Sequence, residues 1–222
     1  MKKVCILIGE GDSERYFFPK ILEKNSFSSL SQKEGLVSIY SKNDVYWFFV
    51  YPPHFGTNIS GKSRLKTPDT YRQAFSYLKN NLHLVQGNDF EIYLVVLFDT
   101  DGASIEDRKN IITKTILDSK VSFDKKIIAP VHFEIESWYF AGLSKSFPHF
   151  TNVDNNLDKL LQTDTSNSHT KETFLKYLDQ DKFIGTKDMS ITIAEYFDNE
   201  KAKEYSESFR DFHLFLEDNG IN

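Results

Sequence analysis

The sequence predicts an α/β fold, in which a parallel sheet is flanked by helices and followed by a helical C-terminal part. Two apolar runs, residues 3–8 and 92–98, lack the polar alternation of strands that face water on one side. Segments with helical spacing separate these runs, and such alternation is typical of a parallel sheet covered by helices. Each run ends in acidic residues, so the carboxyl edge of the sheet, where ligands bind in such folds, is predicted to carry carboxylates.

The first half of the chain alternates between strand and helix patterns. Residues 2–8 form the first predicted strand, and Asp12 or Ser13 can cap a helix over 14–24, whose apolar residues recur at helical spacing. Pro19 lies inside that pattern, where proline is tolerated only near the first turn, so we expect an irregular helix start. A serine-rich loop, an aromatic strand stopped by prolines, a cation-containing loop and an amphipathic helix follow at 26–33, 46–51, 56–69 and 71–82.

The second half continues the alternation and then becomes helical. A helix pattern at 105–117 follows the second apolar run, and a short strand at 127–133 leads into another helix. We expect the switch from strand to helix near Glu134. After Pro148 the composition becomes polar, and Gly220 is a C-cap for the last helix. The short helices predicted in this region lie at 174–178, 191–197 and 209–216.

The chain divides into two predicted parts, an α/β domain over residues 1–147 and a helical extension over 148–222 that packs on it. A length of 222 residues fits one large domain with an appended part. The last helix is rich in aromatic residues, with Phe209, Phe212 and Phe215 at close spacing. These rings pack either in the core or at the face of a homodimer, and the sequence leaves both open.

The composition argues against two classes, a generally basic nucleic-acid-binding protein and a membrane protein. The net charge of −5 argues against a generally basic surface for nucleic acid, although a local basic patch can coexist with an acidic site. The single cysteine, Cys5, lies in the first apolar run and is interpreted as a buried thiol. No apolar run approaches the roughly 18 to 20 residues that cross a bilayer, and the start of the chain does not resemble a signal peptide. We expect a cytoplasmic protein without membrane association.

The second apolar run ends in Asp99 and Asp101. If the chain is still extended there, residues two apart point to the same side, and their carboxylates can share one Mg²⁺ or Mn²⁺. Gly102 then allows the backbone to turn sharply. A solvated Asp-Thr-Asp-Gly turn is the structural alternative.

The first apolar run ends in Glu10, which lies between Gly9 and Gly11. Glycine on each side allows a tight turn and the close approach of a ligand, and the helix that follows presents its positive end to an anion such as phosphate. The segment lacks the third glycine of a dinucleotide-binding fingerprint and the Gly-Lys-Ser/Thr of a P-loop. An ordinary loop with an exposed Glu is the alternative.

Together these motifs resemble the Toprim superfamily, which carries a Glu in the loop after its first strand and an Asp-x-Asp after a later strand of a small parallel sheet. Residues 9–14 (Gly-Glu-Gly-Asp-Ser-Glu) match the first motif and 99–101 (Asp-Thr-Asp) match the second. Residues 134–138 (Glu-Ile-Glu-Ser-Trp) are similar to the small bacterial Toprim proteins of the OLD and RloB-like type, which are associated with defence against phage. The resemblance covers about residues 1–142.

The resemblance implies roles for these residues. Asp99 and Asp101 would hold the metal, and Glu10 would bind it as well or serve as general acid/base. Lys187 falls where some relatives place a lysine that stabilises developing charge. Two ions roughly 4 Å apart need more than three carboxylates. The further carboxylates available are Glu14, Glu134 and Glu136.

The predicted local structure decides which of Glu134 and Glu136 can face the metal site. In a strand the two side chains share a face, but on a helix they lie about 200° apart, so only one can face the site. With the switch to helix near Glu134, we favour Glu136, which matches the Glu-x-Trp of the relatives. The alternative for Glu134 is a helix N-terminus that favours negative charge.

The basic residues of the cation-containing loop and the next helix are candidate contacts to phosphate beside the metal, although such residues are also ordinary solvated surface. The six histidines show no metal-ligand spacing and are interpreted as surface or packing residues. The candidate nucleic-acid contacts are Lys62, Arg64, Lys66 and Arg72.

These observations predict a Mg²⁺-dependent (or Mn²⁺-dependent) Toprim-type nuclease that hydrolyses phosphodiester bonds of DNA or RNA, in anti-phage defence or DNA repair. Two alternatives stay open: a metal-assisted enzyme of nucleotide phosphotransfer or hydrolysis, and a non-catalytic Toprim-like module that binds a partner. The resemblance to the OLD type also implies a separate ATPase or another defence-system protein as partner.

Overall fold

The protein is described from a computed structural model. The chain is an α/β protein with a mostly parallel sheet flanked by helices and a helical C-terminal part, which confirms the predicted fold class. No helix in the described part of the chain is long and apolar enough to cross a membrane. The structure describes residues 1–9, 13–31, 37–50, 64–85, 87, 89–100, 104–131, 134–151, 153–162 and 170–222.

The sheet has a parallel centre and an antiparallel edge. Within the described residues its strands are β1 (Lys2–Ile8), β2 (Ser28–Ser31), β3 (Val37–Lys42), β4 (Val45–Val50), β5 (Phe90–Asp99) and β6 (Lys125–Val131). They lie in the spatial order β2-β3-β4-β1-β5-β6. Neighbours from β4 to β6 are parallel, whereas β3 pairs antiparallel with β2 and with β4. The carboxyl ends of β4, β1, β5 and β6 therefore meet at one edge.

Helices lie on both faces of this sheet. The predicted switch near Glu134 is confirmed, because Glu134 has extended backbone angles and the helix begins at the next residue. The helices are α1 (Ser13–Lys24), α2 (Pro68–Asn81), α3 (Ile105–Asp118), α4 (Ile135–Gly142), α5 (Asn155–Leu160), α6 (Thr170–Tyr177), α7 (Gly185–Tyr196), α8 (Asn199–Tyr205) and α9 (Glu207–Asp218). Short 3-10 turns occur at Arg64–Lys66, Leu82–Leu84 and Gln180–Lys182.

The antiparallel edge corrects the loop predicted at residues 26–33. Strand β2 lies within that segment and is held by pairing with β3, to which the sequence analysis assigns no element. A serine-rich edge strand carries little apolar periodicity, so main-chain pairing rather than pattern defines it. A signal was present in the turn before β4, where Asn43 has a positive φ of 54°, since Asn is favoured at such hairpin positions.

Two short helices, α5 and α8, are also absent from the sequence prediction. Asp154 caps the first by accepting hydrogen bonds from the N–H groups of residues 156 and 157. Asp198 caps the second in the same way, through residues 200 and 201. Both helices are too short to show an apolar repeat, so an Asp at the N-cap was the available signal.

Pro19 lies in the middle of α1, and the helix runs regularly from Ser13 through it, so the irregular start expected around this proline is wrong for the described residues. The helix forgoes the hydrogen bond that residue 19 would donate, at a cost of about 3 kcal/mol. Burial of Phe17, Phe18 and Ile21 against the sheet outweighs this cost. Tertiary packing therefore overrides the local preference.

The sheet separates two hydrophobic cores. Along β1, Cys5 and Leu7 contact one core, whereas Val4 and Ile6 contact the other. Helices α2 and α3 cover the second core, and α1, α4 and the helices after residue 148 cover the first. The apolar run that predicted a strand buried on both faces is thus confirmed, and Cys5 is a buried free thiol.

The C-terminal helices are fixed to the α/β part by polar contacts as well as by the shared core. Trp47 Nε1 donates to the Ile221 carbonyl at 2.9 Å, and Trp138 Nε1 donates to Ser208 Oγ at 2.8 Å. Buried indoles require such partners. These bonds join segments far apart in the chain, so the C-terminal helices form a layer over one face of the sheet. The boundary at residue 147 stays a prediction.

Three lysines lie at helix C-termini, where free carbonyls and the negative end of the helix dipole favour a cation. Lys3 on β1 donates to the end of α9, and Lys24 donates to carbonyls at the end of α7. Lys201 on α8 joins the ends of α4 and α5. Its partners are the carbonyls of Ala141, Leu143 and Leu161, at 3.3, 2.6 and 2.8 Å.

We predict that Lys201→Met lowers the free energy of unfolding by about 2 kcal/mol, because it leaves carbonyls at two helix ends without their charged donor. Urea denaturation measures the change. Lys114→Met on the exposed face of α3 is the matched control and should change stability by no more than about 0.5 kcal/mol. Equal urea midpoints for the two variants would contradict the capping role.

The second prediction concerns His213 on α9, whose Nδ1 lies 3.2 Å from Glu217 Oε1. Burial, followed by the charge of Lys203, lowers its pKa below 6.5, while Glu217 and Glu200 oppose this effect. The unfolded chain therefore binds a proton at His213 more readily than the folded protein does. The contribution of neutral His213 to the free energy of unfolding is complete above pH 6.5 and is lost as the pH falls.

We expect the wild type to lose more unfolding free energy between pH 7.5 and pH 5 than His213→Gln, which cannot titrate in that range. Denaturant unfolding at both pH values gives the difference. If the unfolding free energies of the two proteins changed equally with pH, His213 would have the same pKa in the folded and the unfolded chain.

Candidate functional site

The carboxyl edge of the sheet gathers three of the acidic segments that the sequence singled out. Strand β5 ends at Asp99, which pairs in register with Val131, the last residue of β6. Glu134 follows three residues later, at the start of α4. Strand β1 ends at Ile8 in the neighbouring position, and α1 begins shortly afterwards at Ser13. Segments far apart in the sequence therefore lie at one edge.

Glu14 in the first turn of α1 is buried, with 1 % of its surface exposed. Gly9 makes room for it, because a Cβ at residue 9 would lie 2.9 Å from Glu14 Cβ and 3.3 Å from its carboxyl carbon. The glycine after the first strand is thus required for the close approach of this carboxylate. The helix dipole of α1 also favours negative charge in its first turn.

Glu136 occupies the equivalent position in α4, where it is 2 % exposed. Burial raises the pKa of this carboxyl, and the charge of Glu134 raises it further. Its own backbone N–H and the charge of Lys171 act in the opposite direction. Of the two acids in this segment, the structure buries Glu136 and leaves Glu134 partly exposed as the N-cap residue, without a side-chain capping bond.

The phenol of Tyr139 lies near both buried carboxylates, and their charges act on it. Its hydroxyl is hydrogen-bonded to Ser190 Oγ at 3.3 Å and lies within hydrogen-bond reach of Ser13. Burial raises the pKa of Tyr139 well above its ordinary value, and the charges of Glu136 and Glu14 raise it further. Helices α1 and α4 are in contact at this phenol, because the ring centroids of Phe17 and Tyr139 lie 5.1 Å apart.

Cations surround this edge. Lys187 in the first turn of α7 lies 6.0 Å from the ring centroid of Tyr16 on α1. Arg108 on α3 donates to the main-chain carbonyl of Asp99, and its guanidinium lies 5.8 Å from the Phe98 ring. The structure thus places Lys187 beside the helix that carries Glu14, and it adds an arginine at the end of β5.

Arg72 lies elsewhere. Its guanidinium donates to the carbonyls of Asp118 and Ser119 at the C-terminus of α3 and pairs with Asp69 at 2.5 Å. Since α3 rises about 1.5 Å per residue, ten residues separate that end from Arg108 by roughly 15 Å. Arg72 therefore stabilises the contact between α2 and α3 and does not lie beside the carboxylates.

The other predicted nucleic-acid contacts are only partly described. Lys66 is exposed in the 3-10 turn before α2. Lys62 and the side chain of Arg64 lie outside the described residues, as do Glu10 and Asp101. The predicted meeting of Glu10, Asp99 and Asp101 thus stays a prediction.

The described residues supply part of a donor set for a divalent cation. Among them, no group of three or more His, Cys, Asp or Glu side chains is arranged to hold a metal ion. Carboxylates are nevertheless the ligands that Mg²⁺ and Mn²⁺ prefer, and a bound cation would favour the ionised form of Glu136, whose burial disfavours charge. The donor chemistry of this edge therefore fits a hard cation.

A cavity of about 280 Å³ opens beside the buried Glu136. Ser13 and Glu136 form the part of its lining that belongs to the sheet edge, and α6 and α7 form the rest. The residues contributed by the C-terminal helices and their connection are Lys171, Leu175, Leu178, Gln180, Phe183, Gly185, Thr186 and Met189.

Sequence reasoning missed Arg108, Tyr139 and Lys171. Arg108 could have been found by asking which cation falls in the first turns of the helix after β5. Tyr139 reads as helical core and Lys171 as surface, and only the packing of α4 against α1 and α6 reveals their neighbours. Local patterns contain no signal for such contacts.

Comparisons with known proteins leave the function to be argued from this geometry. No protein-family model matches the chain, and no curated protein matches it. The chain is similar to a solved structure titled nucleolar GTP-binding protein 1 from Plasmodium falciparum, with 13 % identity over 98 % of this chain and 96 % of the other. The TM-score is 0.31, a value at which the likeness carries no inference about function.

We predict that Gly9→Ala lowers the free energy of unfolding by about 1–3 kcal/mol, because the added methyl group overlaps the side chain of Glu14. Gly142→Ala should cost more, since its Cβ would lie 2.2 Å from the ring of Phe197, which packs between Phe17 and Phe209. Urea denaturation of both variants tests this order. Wild-type stability of Gly9→Ala would show that Glu14 does not pack against residue 9.

Proposed function

We propose that this protein is a Mg²⁺- or Mn²⁺-dependent nuclease of the Toprim type that hydrolyses phosphodiester bonds in DNA or RNA. The observation that supports the proposal is that acidic segments lie at one sheet edge, where Glu14 and Glu136 are buried in the first turns of α1 and α4 and Asp99 ends β5. Burying a carboxylate is costly in free energy, and a bound cation would offset that cost.

In this proposal the residues that hold the metal are Glu10, Asp99 and Asp101, with Glu14, Glu134 and Glu136 as further carboxylates. The first-turn positions of Glu14 and Glu136 fix their direction and partly offset their charge through the helix dipoles. When bound, Mg²⁺ or Mn²⁺ would neutralise charge on the phosphoryl oxygens and activate a water molecule.

The cations at this edge bind and orient the phosphate. Lys187 reaches over α1 from the first turn of α7, and Arg108 is held at the end of β5 by the Asp99 carbonyl. Both positions place positive charge around the acidic centre, where a phosphodiester gathers charge during hydrolysis. Tyr139 keeps its proton because burial raises its pKa, so it acts as a hydrogen-bonding group within the carboxylate cluster.

The proposal predicts that Asp99→Asn and Glu10→Gln each reduce cleavage at least about 100-fold, because loss of even an outer-shell partner of a metal site costs about 10- to 100-fold. Cleavage of labelled DNA and RNA strands with Mn²⁺, together with calorimetric titration of Mn²⁺, measures the effect. Asp118→Asn, an exposed change at the far end of α3, is the matched control and should retain activity.

Each outcome decides between the alternatives. Unchanged cleavage by Asp99→Asn would overturn the assignment of the metal centre. Turnover of nucleoside triphosphates without cleavage of either polymer would support the nucleotide hydrolase, and absence of Mn²⁺ binding by the wild type would support the non-catalytic binding module.

A further inference from the structure

The cavity beside Glu136 is lined by buried, partly buried and exposed residues, which we call its floor, wall and rim. Glu136 and Leu178 form the buried floor, and Glu136 is 2 % exposed. The partly buried side chains of the wall are Leu175, Phe183 and Met189, and the exposed residues of the rim are Lys171, Gln180 and Thr186. A ligand that fits this lining has apolar faces and a hydrogen-bonding edge.

The volume of the cavity limits the size of the ligand. Ligand pockets commonly measure about 300–1,000 Å³, so about 280 Å³ suits one ring system with a small substituent rather than two stacked nucleotides. A second cavity, beneath α9, measures about 40 Å³ and has room for ordered water only. Of the two, only the cavity at the sheet edge can enclose an organic group.

The chemistry of the lining matches a nucleobase. Aromatic and thioether side chains such as Phe183 and Met189 pack well against the flat face of a base. The buried Glu136 carboxylate accepts hydrogen bonds of the kind that base amino groups donate. At the rim, Gly185 and Thr186 begin the twelve-residue helix α7, whose positive end favours the phosphate attached to the same nucleotide.

Other ligands fit this lining less well. A wholly apolar ligand would displace water from the buried Glu136 carboxylate and bring no donor in exchange, which is costly. A free inorganic anion on the floor would meet the negative charge of Glu136 and the apolar side chains of Leu175 and Met189. A base carries both the donors and the apolar faces that the cavity requires.

We propose that this cavity binds the base of an unpaired nucleotide next to the phosphodiester that is cut. This inference rests on the proposed function, since it assigns a substrate class to the same site. A base can enter an enclosed cavity only when it leaves its stack and its pairing partner. The protein therefore acts on single strands or on bulged nucleotides, and intact duplex is a poor substrate.

Methionine methyl resonances test base binding without any cleavage. The chain contains two methionines, Met1 and Met189, and only Met189 lines the cavity. In protein labelled with ¹³C at the methionine methyl groups and kept in EDTA, each of the four nucleoside 5′-monophosphates is titrated in turn. We expect the ring current of a bound base to shift the Met189 signal while Met1 stays unchanged as an internal control.

Ribose 5-phosphate and inorganic phosphate serve as probes that lack a base, and they should leave Met189 unshifted. Phe183→Ala should weaken nucleotide binding at least tenfold, and Gln180→Ala at the exposed rim should weaken it severalfold without affecting folding. Leu214→Ala, an exposed change on α9, is the matched control. No Met189 shift with any nucleotide, or an equal shift with ribose 5-phosphate, overturns the base site.

Cleavage assays separate this inference from the proposed function. If the protein cuts single strands faster than duplex and Phe183→Ala reduces this preference, both the nuclease and the base site are supported. Nucleotide-induced shifts of Met189 in a protein that cuts neither polymer support the base site and refute the nuclease. Equal cutting of single strand and duplex, without a shift of Met189, supports the nuclease and refutes the base site.

Discussion

The architecture of this protein depends on a sheet whose central strands are apolar on both faces. Strand β1 places Cys5 and Leu7 in one core and Val4 and Ile6 in the other, so neither face can be left to water. Within the described residues, α2 and α3 cover one face, and α1, α4 and the C-terminal helices cover the other. The charged side chains of a functional site therefore lie at the strand ends rather than on the faces of the sheet.

The same constraint explains where the charged groups lie. Helices that cover a parallel sheet begin above the carboxyl edge, so the first turns of α1 and α4 lie there and carry the buried Glu14 and Glu136. Each carboxylate lies at the positive end of its helix, which offsets part of the cost of burial. At helix C-termini the opposite charge is required, and Lys24 and Lys201 supply it.

The C-terminal helices therefore do more than cover a hydrophobic face. Helices α6 and α7 bring Lys171 and Lys187 to the acidic edge and close the cavity beside Glu136. The acidic edge of the sheet and the wall of the proposed base site come from different parts of the chain. In the two proposals together, this arrangement would couple the recognition of a base to the position of the phosphate that follows it.

Much of the fold of residues 1–147 could be predicted from the sequence, because long apolar runs and helical spacing identified β1, β5 and α3. Gly9 was singled out from its place after the first apolar run, and the structure shows why a glycine is needed there, whereas Glu14 and Glu136 were candidates through the Toprim resemblance. Strand β2 escaped prediction because main-chain pairing with a neighbour, rather than its own side chains, makes it a strand.

The sequence by itself determined which strands are buried on both faces and which acids follow them, because apolar periodicity and strand ends are local properties of the chain. Only the tertiary structure decided that Glu14 and Glu136 are both buried, that Arg72 stabilises a helix end instead of the acidic edge, and that Lys187 lies beside α1. These contacts join segments distant in sequence, and helix packing sets their geometry.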